Sequence, residues 1–135
     1  MGAGSVFSDA QVQGLVVPMT VIAQDMLAAR SETTKEAFVT FVMPYTGVVV
    51  GYQGCLTAIT GTTQTLALTL ERGTTVLSTL TLATANTPAR NAGLSLKVFA
   101  GETLNVKAAT GHTDVVCEGI VCILEVQIGL PVEDA

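Results

Sequence analysis

The segment Val115 to Ile128, VVCEGIVCILEVQI, constrains this chain more than any other. It is rich in β-branched residues, which favour strands. It is also shorter than the roughly 20 residues a helix needs to cross a bilayer. On a regular strand Val116, Glu118, Ile120, Cys122, Leu124, Val126 and Ile128 share one face. Val115, Cys117, Gly119, Val121, Ile123, Glu125 and Gln127 share the other. From Ile120 to Leu124 both faces are apolar. A strand with one wet face alternates instead, so this one is expected to be covered on both sides. In an antiparallel sandwich the facing sheet supplies one cover, and a second copy of the chain can supply the other.

Composition points the same way. Charged residues make up 13% of the 135 residues, about half the usual share of roughly 25%, and mean hydropathy is +0.56. So little charge leaves the surface to be covered by lipid or by other chains. No run of about 18 apolar residues is present, so no transmembrane helix is expected. The start, MGAGSVFSDAQ, has no basic region ahead of an apolar core, so no signal peptide is expected. It fits the myristoylation pattern only in part, because Val6 stands where Ser or Thr is required. Burial by oligomerisation is favoured, with no membrane partner. The net charge is −5 and Arg30, Lys35, Arg72, Arg90, Lys97 and Lys107 are scattered, which argues against direct nucleic-acid binding. The length suits one domain with a proper core.

Taken in order, residues 1–19 form an N-terminal arm whose only ionisable side chain is Asp9. Val6, Phe7, Leu15, Val16 and Val17 give it more apolar mass than a free tail carries, so it is expected to dock on its own domain or on a neighbour. Residues 20–135 form the folded domain. In Thr20–Ala29, Val21, Ile22, Met26, Leu27 and Ala29 lie at helical spacing, but the strand-rich context favours a strand. Arg30–Glu36 reads as an exposed turn. Phe38–Met43 and Val48–Ile59 read as strands, the second with a bulge or close approach at Gly51 or Gly54. Leu66, Leu68 and Leu70 alternate ahead of a turn at Glu71–Thr74, where Gly73 suits a left-handed backbone. Val76, Leu80 and Leu82 share a face on the return strand. Ala83–Gly93 reads as a loop. Leu94–Val98 and Leu104–Ala108 are strands around the Ala100–Glu102 turn. About eight short strands with turn signals between them indicate an all-β sandwich or barrel.

Candidate chemistry is sparse. His112 is the single histidine; Asp114 could orient its ring, but an exposed turn histidine is the simpler reading. Asp114 and Glu118 could share a strand face for acid–base work or Ca²⁺, with neutralisation by Lys97 or Lys107 the simpler reading. Cys117 and Cys122 differ by five positions and so point to opposite faces of a regular strand. Bridges from Cys55 to either are possible, but three reduced, buried cysteines are favoured. No Gly-rich phosphate loop and no C-x-x-C occur. No enzyme, metal or cofactor is therefore expected. Tyr45, Tyr52, Asn86, Arg90 and Asn91 are the polar or aromatic loop candidates for recognition.

Three segments carry a resemblance: Pro44-Tyr45-Thr46-Gly47-Val48-Val49-Val50-Gly51, the Leu70–Leu77 hairpin, and Val98-Phe99-Ala100-Gly101-Glu102-Thr103-Leu104-Asn105-Val106. In this order they resemble the small jelly-roll modules of tailed-bacteriophage virions, including head decoration or cement proteins, and the topology is similar to the C1q and tumour-necrosis-factor jelly roll. The resemblance covers roughly Phe38 to Ile128. It implies an antiparallel jelly-roll sandwich that forms homotrimers. The expected role is capsid decoration on an icosahedral phage head, on the virion surface after assembly in the host cytoplasm. The threefold contact is placed at Val121 and Ile123, with Ile120 and Leu124 beside them. The contact with the major capsid protein is placed at Val6, Phe7, Leu15, Val16 and Val17. The alternative is a receptor- or glycan-binding module of a tail tip or head fibre.

Overall fold

A computed structural model of the protein describes residues 19–128. Among them are nine strands and no helix: β1 (Met19–Arg30), β2 (Glu36–Val42), β3 (Gly47–Cys55), β4 (Ala58–Thr60), β5 (Leu66–Arg72), β6 (Thr75–Leu82), β7 (Ala89–Val98), β8 (Thr103–Thr110) and β9 (Val116–Ile128). They form two antiparallel sheets. One runs β1-β9-β3-β7, with β4 also on β9; the other runs β2-β8-β5-β6. The sheets face each other across a core that includes Val49, Leu66, Leu68, Leu70, Leu104, Val106, Leu124 and Val126, all fully buried. Tyr52 spans the gap, its buried hydroxyl donating to the Leu68 carbonyl at 3.0 Å. The expected arm, with Val6, Phe7, Leu15, Val16 and Val17, lies outside the described residues apart from Met19, which already belongs to β1.

β9 is flanked on both edges. It pairs with β1 from Cys117–Arg30 to Ile128–Met19. On its other edge it pairs with β3 and then, past a break at Leu56–Thr57, with β4. That pairing makes β1 a strand despite its helical spacing: Val21 and Leu27 turn toward the core, while Ile22 and Met26 face out.

β9 does not keep one phase along its length. Cys117 is buried, and so are Ile120, Cys122, Leu124, Val126 and Ile128. The change occurs at Gly119, whose φ is +62°, a left-handed conformation open mainly to glycine. Cys117 and Cys122 therefore both point inward, contrary to the regular-strand expectation. Arg30, paired opposite Cys117, turns inward with it. It is buried rather than part of an exposed turn, and its guanidinium binds the Glu36 carboxylate and the Thr34 carbonyl.

Other departures have the same kind of cause. A register shift between Leu70 and Glu71 leaves Leu77 as an extra residue on β6, so Val76 is exposed instead of sharing the face of Leu80 and Leu82. β7 starts at Ala89, five residues before the expected Leu94. Its first residues are small and polar because β7 is an edge strand, held by main-chain pairing to β3. Asn91 ties that edge across to β6 by donating to Ser78 Oγ at 2.9 Å and to the Thr79 carbonyl at 3.1 Å. The turn at Gly73 has the left-handed φ expected of it, and the turn at Gly101 also has a positive φ.

Replacing Gly119 tests the phase change. A Cβ there runs into the Thr57 side chain, and the φ is strained for any other residue. Gly119→Ala is expected to lower stability by about 1–3 kcal/mol, read from the urea midpoint.

Candidate functional site: an apolar sheet face

The phase of β9 beyond Gly119 sets what its sheet shows to the outside. Ile120 and Leu124 are fully buried between the sheets. Val121 and Ile123 point the other way and are half-buried. Cross-strand pairing extends them into two rows. Met26, Val121 and Cys55 form one, across β1, β9 and β3; Gln24, Ile123 and Gln53 form the next. Ile22, opposite Glu125, adds to the patch at 57% exposure, and Met26 is 64% exposed. A cavity of about 110 Å³ opens between these rows, lined by Gln53, Gly54, Cys55, Pro88, Val121 and Ile123. Gly54 fits because its missing side chain leaves room for Leu68 on the core side. A contiguous apolar patch rimmed by polar groups marks an interaction surface.

The rim is ionic. Arg90 on β7 donates to Glu125 on β9 at 2.6 Å and to Gln53 at 3.1 Å. The free edge of β1 carries Asp25, whose carboxylate accepts the Met26 main-chain N–H at 2.8 Å. A charge on an edge strand opposes strand addition, so the sheet is better suited to contact by its face than by its edge.

Arg90 and Asn91, expected in a loop, are strand residues on β7. Of the other recognition candidates, Tyr52 is core and Asn86 lies in a turn at φ 58°, while Tyr45 is 54% exposed. All three cysteines are free. Burial pushes the Cys122 thiol up to about 12 and raises Cys117, so neither is a ready nucleophile.

The polar clusters join loops. Asp114 accepts the hydroxyl and main-chain N–H of Thr62 at 2.6 and 2.9 Å, and its other oxygen lies 2.7 Å from His112 Nδ1. This clasp holds the β8–β9 turn to the β4–β5 turn on the surface. The two Thr62 donors, with His112 adding less, hold the Asp114 carboxyl down to about 2. The expected lysine neutralisation of Asp114 or Glu118 is not what Lys107 does. It meets Glu71 at 3.0 Å, and Lys35 meets the same carboxylate at 2.6 Å. Glu71, read as a turn residue, is 3% exposed on its side chain. The two lysine hydrogen bonds pull its pKa down against the opposing effect of burial. Its cover comes from Lys35, 36 residues earlier, a contact with no local sequence signal. Among the described residues, no group of three or more His, Cys, Asp or Glu is placed to hold a metal ion.

The fold and this face define an all-β sandwich with an apolar patch exposed among the described residues. No protein-family model matches the sequence, and no curated protein matches it. A solved structure titled "Crystal Structure of FLHE" is similar at a TM-score of 0.41 and 14% identity, over 78% of this chain and 96% of that one.

Two outcomes are expected at the clasps. The Asp114 carboxyl should titrate by NMR at about 2 instead of the ordinary 3.8, and Thr62→Ala should move it back up. Because its folded value is depressed, its contribution to stability is complete above about 4 and is lost as pH falls toward 2. Glu71→Gln should cost about 1–3 kcal/mol by urea unfolding; a fully enclosed pair costs more, but these lysines still reach water.

Proposed function

We propose that the chain is a virion structural protein, a homotrimeric jelly-roll subunit that decorates and cements an icosahedral phage head. The observation that carries this is the outer face of the β1-β9-β3-β7 sheet, where Ile22, Met26, Val121 and Ile123 form an apolar patch on a chain poor in charge. A second copy is the cover proposed for it, with Val121 and Ile123 at the centre of the contact. Ile120 and Leu124 support that contact from the core side.

The strand orders support a jelly roll. β1 pairs β9, β2 pairs β8, β3 pairs β7 and β5 pairs β6. Each pair nests inside the one before, as in a single long hairpin rolled into two sheets, and β4 only prolongs β3 along β9. Eight principal strands in two such sheets are consistent with a jelly-roll arrangement. The role is mechanical. Each trimer sits where capsid subunits meet, and Val6, Phe7, Leu15, Val16 and Val17 contact the major capsid protein. Apolar burial at ~25 cal/mol per Å² then resists pressure from within the head.

Light scattering of the purified protein should give a trimer. Val121→Asp with Ile123→Asp should lower trimer affinity by roughly 100-fold or more, since each buried side chain of this size contributes about 1.5–3 kcal/mol. Removing residues 1–18 should abolish binding to empty capsids and leave the trimer. A monomer at high concentration overturns the proposal. A trimer that binds cells or glycans but not capsids moves the role to a tail tip or head fibre.

A further inference from the structure

The outer face of the β1-β9-β3-β7 sheet carries a hole and a knob in one cross-strand row. The hole is the cavity of about 110 Å³ between Cys55, Pro88, Val121 and Ile123. The knob is Met26, 64% exposed, the highest value for a large apolar side chain among the described residues. Met26 on β1 pairs with Val121 on β9, and Val121 pairs with Cys55 on β3. Two strand spacings of ~4.8 Å put Met26 and Cys55 about 10 Å apart. Val121 stands between them, and Met26 does not line the cavity. The chain's own knob leaves its own hole unfilled.

Size and chemistry match. An apolar cavity of ~150 Å³ holds benzene, so one of about 110 Å³ takes an unbranched methionine side chain. Methionine also adapts to irregular apolar gaps. Gln53, the one amide in the lining, is already engaged by Arg90 at 3.1 Å. Arg90 and Glu125 neutralise each other at 2.6 Å, so covering this row buries no unpaired charge from the rim. The main-chain N–H of Met26 is taken by the Asp25 carboxylate at 2.8 Å. That contact opposes strand addition at this residue, and a second copy meets Met26 through its side chain.

We infer that Met26 of one copy seats in the cavity of the next, so that each hole is completed by a neighbour's knob. This rests on the reading that a second copy covers the face, and it names the side chain that copy contributes. A knob and a hole at separate places on one face pass head to tail from copy to copy. In a ring of three, every copy gives one methionine and takes one.

Cys55 provides the test, because it lines the hole while Cys117 and Cys122 are fully buried. With Met26→Cys, the new thiol should lie against Cys55 of the partner subunit. Within one chain the two positions are about 10 Å apart, beyond the roughly 7 Å limit for a disulfide, so a bridge joins two chains. The full chain carrying M26C is incubated with oxidised glutathione, which accepts the electrons of the two thiols and leaves as two reduced molecules. The expected product on a non-reducing gel is a covalent trimer, lost when Cys55→Ser is added. It should form at least about tenfold faster than with Met19→Cys, a 54% exposed position at the far end of the same strand. Met26→Ala should raise the concentration at which wild-type copies separate by about tenfold. A light-scattering trimer in which M26C forms no bridge to Cys55 overturns the seating and leaves the assembly reading standing. Equal rates for M26C and M19C also overturn it, as does unchanged association of M26A. A covalent dimer that grows no further supports the seating and refutes the ring of three. A wild-type monomer at high concentration overturns both.

Discussion

Everything in this sandwich depends on β9 being flanked on both edges while its inward row forms the core. β1 holds one edge, and β3 with β4 holds the other. A strand placed there is paired along most of both edges, so its side chains largely decide what it does. Ile120, Cys122, Leu124, Val126 and Ile128 commit to the interior. Val121 and Ile123 are then forced outward, because successive side chains on a strand take opposite faces. The apolar patch is thus a consequence of geometry: a β-branched run dense enough to fill a core leaves its alternate residues on the other side.

Gly119 decides where that row begins. Its left-handed φ lets Cys117 and Val115 join the core on the opposite phase from Ile120. The same step turns Arg30 inward across the β1–β9 pair, where its guanidinium closes the β1–β2 loop against Glu36 and Thr34. Few residues in this chain are charged, and several of those present hold parts of the chain together. Glu71 draws Lys35 from a loop and Lys107 from β8. Arg90 fastens β7 to β9 through Glu125. Asp114 joins two turns. With these charges engaged, the centre of the outer sheet face is left without one.

The strands and their turns were legible in the sequence because both are local. Period-two alternation marked Leu66–Leu70 and Leu104–Ala108, Gly73 marked a turn that needs a positive φ, and Ala100–Glu102 marked another turn. Val121 and Ile123 were legible as a second apolar face. The extra residue at Leu77 was not, since a bulge is a matter of register between two strands and neither strand alone encodes it. The early start of β7 was hidden for a related reason: ARNAG has no alternation, and the strand exists there because β3 offers it hydrogen bonds. Tyr52 read as a loop candidate and is core, its hydroxyl satisfied by a carbonyl on the facing sheet.

The sequence by itself determined that this chain is built of strands, where most of them turn, and that it carries more apolar surface than one set of faces can hide. These follow from side-chain spacing and from backbone conformations that few residues permit. The tertiary structure alone decided which way each side chain of β9 points, that Arg30 and Glu71 are buried, and that a cavity opens between Cys55, Val121 and Ile123. Those outcomes depend on strands distant in sequence coming into register, and on one glycine shifting the phase where they meet.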